Sequence, residues 1–284
     1  MATVYLLSVR TVRKESDMKQ ITSARCISCI PEVVPKKRSN NKKLKLLITN
    51  KRIDWGFKQS MLMIQSRLQQ IMRRTGDKVL LITSTIPAEG KTMTAVNMAL
   101  AFAQEGMKVA LLDGDLRKPS VCELMKLPEG PGLTEYFRGE STPEEIQVVK
   151  DGVTFFRAGQ KKGKVSGLID EEKMNSLLEK LRKEYDVILM DAAPSYVFSD
   201  AMILSSYADK VLYVVRVDKA DAKAIQVGMN SFEEKEKLIG YVINRDTGGY
   251  ISQSRYGYGR YGKYQKYRKY AELDEETMNT EDTL

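Results

Sequence analysis

The chain has no histidine among its 284 residues. That absence removes any Ser-His-Asp triad, any histidine metal site and any histidine phosphotransfer. Cysteine is scarce too, with only Cys26, Cys29 and Cys122. Cys26 and Cys29 are spaced like half a zinc site, but no second pair and no histidine exists to complete it. They read as reduced thiols of a cytosolic protein. No run approaches the roughly 18–20 apolar residues of a membrane span. Val4 to Val9 is too short, and no secretory pattern follows it. Acidic residues are thin at one end: residues 1–60 hold fourteen Lys and Arg against four Asp and Glu. The net charge is +9, so the rest of the chain is close to neutral. The basic character belongs to an arm, which suits an anionic membrane surface or nucleic acid, or is a solvated lead-in.

What is present is concentrated in Val79 to Pro119. An apolar run, Val79 to Ile82, leads into a turn from Thr83 to Gly90. The turn opens on Lys91-Thr92 and a helical pattern to about Gln104. A second apolar run, Val109 to Leu112, ends on Asp113-Gly114-Asp115. This is a strand, a phosphate loop, a helix and a strand. Backbone N–H groups of such a loop cradle phosphate oxygens at a helix N-terminus. Lys91 reaches the β- and γ-phosphates and the Thr92 hydroxyl ligates Mg²⁺. The full pattern G-x-x-x-x-G-K-[ST] is not met, because Thr85 stands at its first Gly. The structural alternative is a turn with a solvated lysine.

Elsewhere, residues 1–50 read as irregular, with a helical turn near Ser16 to Gln20 and a strand end at Cys29 to Pro31. Helical periodicity spans Trp55 to Met72, stopped by Thr75-Gly76-Asp77. A short helix is expected at Leu133 to Phe137. Thr142-Pro143-Glu144-Glu145 reads as a helix start. Val153 to Arg157 is a strand, Asp170 to Glu184 a helix, Tyr185 to Met190 a strand ending on Asp191. A strand at Val211 to Val217, a helix at Ala220 to Phe232 and a strand at Leu238 to Ile243 complete the pattern, with Asn244 at its end. Strands alternating with helices imply an α/β fold with a mostly parallel sheet, and ligands of such sheets sit at the strands' C-terminal edge. Lys91, Asp113, Asp115, Asp191 and Asn244 all fall there. From Thr247 onward, Tyr250, Tyr256, Tyr258, Tyr261, Tyr264, Tyr267 and Tyr270 are packed among Gly, Arg and Lys, followed by an acidic end. With almost no aliphatic residue to bury, this composition reads as a flexible tail.

The run LLDGDLRKP, the loop IPAEGKT, the strand VILMDAAP and the tyrosine cluster together resemble the bacterial protein-tyrosine kinases of capsule and exopolysaccharide synthesis. The resemblance covers about Ser60 to Tyr270, and the arm is similar to the cytoplasmic stretch that joins such kinases to a membrane protein. It implies a P-loop, partition-ATPase-like fold, with a basic juxtamembrane-like arm (1–54), a kinase domain (55–248) and a tyrosine-rich, then acidic tail (249–284). It implies ATP and Mg²⁺. Glu89, Gly90, Lys91, Thr92, Met93 and Asn244 would bind the nucleotide, with Asn244 near the adenine. Thr92, Asp115 and Asp191 would serve the metal, Lys91, Asp113 and Asp115 the chemistry, with Asp113 the base. The seven tail tyrosines would accept phosphate from a neighbouring subunit in a ring. The implied partners are a transmembrane chain-length regulator that activates the kinase and a cognate tyrosine phosphatase, with no nucleic acid. The implied place is the cytoplasm, at the inner face of the plasma membrane.

The chain departs from the family at Ala88, where Gly is usual; a positive φ there strains an alanine. The family's E-x-x-R-x-x-R helix falls on Gln59, Leu62 and Gln65. Asp191-Ala192-Ala193-Pro194 is looser than the usual D-x-P-P. These departures keep a weakened pseudokinase as an alternative. A partition or septum-positioning ATPase of the same fold is another, although its signature lysine is Ile86 here. A third is a nucleic-acid-binding tail on an ATP-binding body, since interleaved Tyr and Arg stack on single-stranded bases.

Overall fold

The computed structural model describes residues 11–33, 46–160, 167–233 and 236–247. A one-turn helix α1 (Glu15–Met18) precedes strand β1 (Cys26–Pro31), followed by α2 (Trp55–Thr75), β2 (Val79–Ser84), α3 (Lys91–Gln104) and β3 (Val109–Asp113). Next come α4 (Val121–Met125), α5 (Leu133–Arg138), β4 (Gln147–Lys150), β5 (Val153–Phe156), α6 (Glu171–Glu184) and β6 (Val187–Asp191). The chain then runs through α7 (Asp200–Tyr207), β7 (Lys210–Arg216), α8 (Ala222–Glu233) and β8 (Leu238–Asp246).

The eight strands form one sheet in the order β1-β8-β7-β2-β6-β3-β5-β4. Every pairing is parallel except β4 with β5. The central strands β2, β3 and β6 are buried along their whole length. That is what a parallel sheet covered on both faces demands of an apolar run. Placing β2 beside β6, and β6 beside β3, brings Asp113 level with Asp191 in the ladder and puts the 85–90 loop next to both. The topology therefore makes the site before any side chain is considered.

Helix α2 shows how local signals set an element. Asp54 caps it by accepting from the N–H of Phe57 at 3.1 Å, and Gly76 ends it in the left-handed conformation at φ 74°. Arg73 and Arg74 lie in its last turn, where cations suit the dipole. Phe57, Met61, Ile64, Leu68 and Met72 recur at helical spacing and are buried in the core shared with α3 and the sheet. Gln65 is buried on the same helix and donates to Gln69.

Two expectations are corrected. The stretch before residue 50, read as irregular apart from a helical turn and a strand end at Cys29 to Pro31, holds a full six-residue edge strand, β1, parallel to β8. Its partner lies some two hundred residues away, so no local signal announces the pairing. Thr142 to Glu145 does not start a helix: the chain makes a turn and enters β4. The Glu145 carboxylate does accept from the N–H of Thr142, as a helix start would require. The β-branched Val148 and Val149 then extend, and Asp151-Gly152, at φ 50° and 77°, closes a two-residue hairpin onto β5.

Candidate phosphate site and its acids

The site begins where β2 gives way to the loop of residues 85–90. Gly90 sits at φ 100°, and a Cβ there would lie 2.1 Å from Asn244 Nδ2, so only glycine fits. Gly90 is also the N-cap of α3 and offers no side chain to the helix. The first amides of this fourteen-residue helix are thus left for an incoming anion.

Lys91 opens α3 and points into a ring of acids. Its Nζ lies 2.7 Å from Asp115 Oδ2 and 3.3 Å from Asp191 Oδ1. It also donates to Thr92 Oγ1 at 3.2 Å, and the Thr92 hydroxyl donates to Asp191 Oδ2 at 2.5 Å. Burial works against the ammonium, but the Asp191 and Asp115 carboxylates outweigh it and hold Lys91 above its usual range. Asp191 is fully buried; burial pushes its carboxyl up while Lys91 pulls it back. Asp115 Oδ1 accepts from the N–H of Lys118 at 3.0 Å.

Asp113 is the least satisfied member. Its Oδ2 accepts from the N–H of Val121 at 3.1 Å, whereas Oδ1 is buried with no hydrogen-bond partner. Burial, then the neighbouring Asp191 charge, pushes its carboxyl up to about 8. Gly114 allows this crowding: a Cβ there would stand 2.9 Å from the Asp191 carbonyl oxygen.

Of the other residues expected at the nucleotide, two brace the loop from behind. The Glu89 carboxylate accepts from the N–H of Ile86 at 2.8 Å and of Arg216 at 3.2 Å. Burial pushes it up to about 7. Asn244 Nδ2 donates to the Glu89 carbonyl at 2.7 Å, so its amide is spent on loop backbone. Met93 is half-buried and packs against the core. Ala88 sits at φ 69°, the strained conformation its position in the loop raised as a concern. The seven tail tyrosines lie outside the described residues.

Sequence reasoning missed two partners. Arg117 is paired with Asp200 and lies 4.5 Å above the Phe198 ring centroid. Tyr213, buried in β7, bonds to Thr85 and Ser195. Asp200 and Thr85 lie 83 and 128 residues from these partners, beyond the reach of any local pattern.

The donor set can be tested for Mg²⁺. Among the described residues no group of three or more His, Cys, Asp or Glu holds a metal unaided. Magnesium asks for less than that: one or two carboxylates, waters and substrate phosphates. Two carboxylates pair with one ammonium here, and the orphaned Asp113 Oδ1 adds an acceptor without a donor. The residues fit Mg²⁺ arriving with a phosphate chain.

A model of the ParA family, described as an NUBPL iron-transfer P-loop NTPase, matches residues 76–225, just over half of the chain. The tyrosine-protein kinase CpsD of Streptococcus pneumoniae is 33% identical over 196 residues, covering 64% of this chain and 82% of that protein. The tyrosine-protein kinase YwqD of Bacillus subtilis (strain 168) is 32% identical over 185 residues, covering 64% and 77%. The solved kinase domain of the Escherichia coli tyrosine kinase ETK superposes with a TM-score of 0.74 at 24% identity, over 88% of this chain and all of that one. That likeness shows the same fold.

Proposed function

The chain belongs to the bacterial tyrosine-protein kinases, built on the P-loop NTPase fold, and from that premise we propose that it transfers the γ-phosphoryl group of ATP to its own tail tyrosines. One observation carries the reading: Lys91 Nζ lies within 2.7 and 3.3 Å of carboxylates from two separate strand ends, beside an Asp113 oxygen with no partner.

In this reading the α3 amides and Lys91 Nζ hold the β- and γ-phosphates, trading part of the Asp115 and Asp191 contact for phosphate oxygens. Thr92 Oγ1, Asp115 and Asp191 would hold Mg²⁺, which would spread the charge that grows on the phosphoryl oxygens. Asp113 Oδ1 accepts the proton of a tyrosine hydroxyl. The phenol oxygen forms its bond to the γ-phosphorus as the bond from phosphorus to the β–γ bridging oxygen breaks, and ADP leaves with that electron pair. A base held near 8 is closer to a phenol than an ordinary aspartate is, which eases the transfer.

The acceptors are Tyr250, Tyr256, Tyr258, Tyr261, Tyr264, Tyr267 and Tyr270, presented in trans to a neighbouring copy in a ring. Each phosphate adds about −1.5 to −2 charges and cancels the basic charge around it, which releases the ring. A tyrosine phosphatase resets the cycle. A transmembrane partner meets the basic arm, places the kinase at the inner face of the membrane, and links phosphorylation to capsule or exopolysaccharide export. No helix among the described residues is long and apolar enough to cross a membrane.

The test is phosphosite mapping by mass spectrometry on the full chain incubated with ATP and Mg²⁺, with and without membranes of its host. Phosphate on residues 250–270 that is lost in Lys91→Met supports the reading; ATP turnover without phosphotyrosine points instead to a partition-type ATPase. Mixing full-length Lys91→Met with a tail-less active chain tests transfer in trans, which requires the label on the Lys91→Met copy.

A further inference from the structure

The phosphate loop of this chain lacks glycine at two places where flexibility is usual, at Thr85 and Ala88. A hydrogen-bonded chain lies directly behind it. Ser195 Oγ and the Tyr213 hydroxyl are 2.9 Å apart, and the Tyr213 hydroxyl donates to Thr85 Oγ1 at 3.2 Å. Thr85 stands close to the Glu89 carboxylate, which its presence stabilises in the charged form. That carboxylate also takes the amides of Ile86 and Arg216, and Arg216 Nη1 donates to the Ala88 carbonyl at 3.0 Å. Both ends of the strained loop are therefore tied to β7. The room for this is built in: a Cβ on Gly228 of α8 would lie 2.3 Å from the Tyr213 hydroxyl. Tyr213, Thr85 and Ser195 carry out no step of the chemistry, yet Ser195 follows the loop that leaves Asp191, and its N–H donates to the Ser84 carbonyl at 2.8 Å.

We propose that Tyr213 is a positioning residue for nucleotide binding: its hydroxyl anchors Thr85, where the loop begins, to β7 and so keeps the loop amides aimed at the phosphates. The hydroxyl replaces, with a fixed bond, the freedom that a glycine at residue 85 would supply. An unsatisfied buried hydroxyl is costly, so the three groups hold one arrangement rather than several. The inference rests on the Lys91 loop being a nucleotide site.

The experiment compares Tyr213→Phe with the unaltered full chain in titrations of a non-hydrolysable ATP analogue and Mg²⁺, in autophosphorylation kinetics, and in thermal melting. Tyr213→Phe removes one oxygen and keeps the ring. The expected result is a Kd for the analogue raised about 5–10-fold, with KM for ATP rising alongside and kcat within about twofold. The second arm puts the same change into a Thr85→Gly background. There the hydroxyl has no Thr85 oxygen to hold, and the further loss on Tyr213→Phe should shrink to less than about twofold. Equal losses in both backgrounds, or a lower melting temperature with an unchanged Kd, would make Tyr213 a packing residue and overturn the proposal. An unaltered chain that binds no analogue would sink the nucleotide site itself, a different outcome from intact binding that ignores Tyr213.

Discussion

At the N-terminal ends of β2 and β7, Asp209 accepts from the N–H groups of Lys78 and Val79, both at 2.8 Å, and from two nitrogens of Arg182 at 3.0 and 2.6 Å. Burial alone would raise its carboxyl, but Arg182 and the two amides hold it below its usual range. At the opposite edge of the same sheet, Asp113 has one amide partner, one orphaned oxygen and a carboxyl pushed up to about 8. The two aspartates differ in how far the fold has finished satisfying them. A carboxylate with every lone pair engaged ties strands together. One buried beside another acid, with an acceptor to spare, is costly to the fold and available to a phosphate, a metal or a proton.

The sharpest way to break this contrast is to remove the cation that keeps the acidic end together. Lys91→Met is expected to lower autophosphorylation by more than about 1,000-fold, because phosphate loses its one buried ammonium. The nucleotide-free chain should also melt lower, since Asp115 and Asp191 then face each other without the ammonium. Quantitative phosphotyrosine blotting and calorimetry read the two effects. A residual rate within tenfold of the unaltered chain would mean that Lys91 is not at the reaction.

A crossed pair of isosteric changes sharpens the comparison. Asp113→Asn should cost about 10²–10⁴-fold in kcat. It should also stabilise the nucleotide-free chain at pH 7 by about 2–4 kcal/mol, because a carboxyl held near 8 is neutralised only at a price in folding. Asp209→Asn should do the reverse, costing about 1–3 kcal/mol of stability through its broken hydrogen bonds and leaving kcat near that of the unaltered chain. Urea denaturation beside kinetics reads all four numbers. Both variants losing stability equally would end the distinction between a finished and an unfinished acid.

How much of this was legible in the sequence follows the reach of each signal. The unit from β2 through α3 to β3 is local, periodic and buried, and its turn chemistry agrees with its pattern, so its elements and its acids stand out together. The Asp113–Asp191 juxtaposition followed from the parallel-sheet rule, since both end apolar strands. The hairpin of β4 and β5 was hidden by Thr142 to Glu145, a turn that satisfies the Thr142 amide as a helix start would. Strand β1, the Arg117–Asp200 pair and the Tyr213–Thr85 bond depend on partners 83 residues or more away. Glu89 was legible as part of the loop but not as its brace, because nothing local shows that its carboxylate turns back toward Ile86 and Arg216.

Glu89 extends the comparison to pH. Burial holds its carboxyl at about 7, up from 4.5, so the folded chain binds this proton more tightly than the unfolded one. Its contribution to stability is complete below 4.5 and is lost as pH rises through 7. Between pH 4.5 and 7.5 the unaltered chain should lose about 3 kcal/mol more than Glu89→Gln does, measured by urea denaturation without nucleotide. Asp209, held low, slopes the other way: its contribution is present above the usual aspartate range and lost as pH falls below it. Parallel pH profiles for Glu89→Gln and the unaltered chain would show that the loop brace does not tax the fold.

The smallest effect concerns backbone strain, and it again sets the site against a distant turn. Ala88 at φ 69° and Asp151 at φ 50° both hold the left-handed conformation. Aspartate tolerates that region through local hydrogen bonding, whereas alanine has only its Cβ clash, worth about 1–2 kcal/mol. Ala88→Gly relieves the clash and gives back about 0.5–1 kcal/mol through the freer unfolded chain. The net gain is about 1 kcal/mol or less, a rise in melting temperature of about 1–4 °C. Asp151→Gly has less strain to relieve and the same entropy to lose, so its melting temperature should stay level or fall. If Ala88→Gly leaves stability unchanged yet tightens nucleotide binding, the strain belongs to the bound loop rather than the free one. A fall in both would mean that the Arg216 bond to the Ala88 carbonyl already offsets the clash, and that alanine at this position limits a loop that glycine would leave too loose.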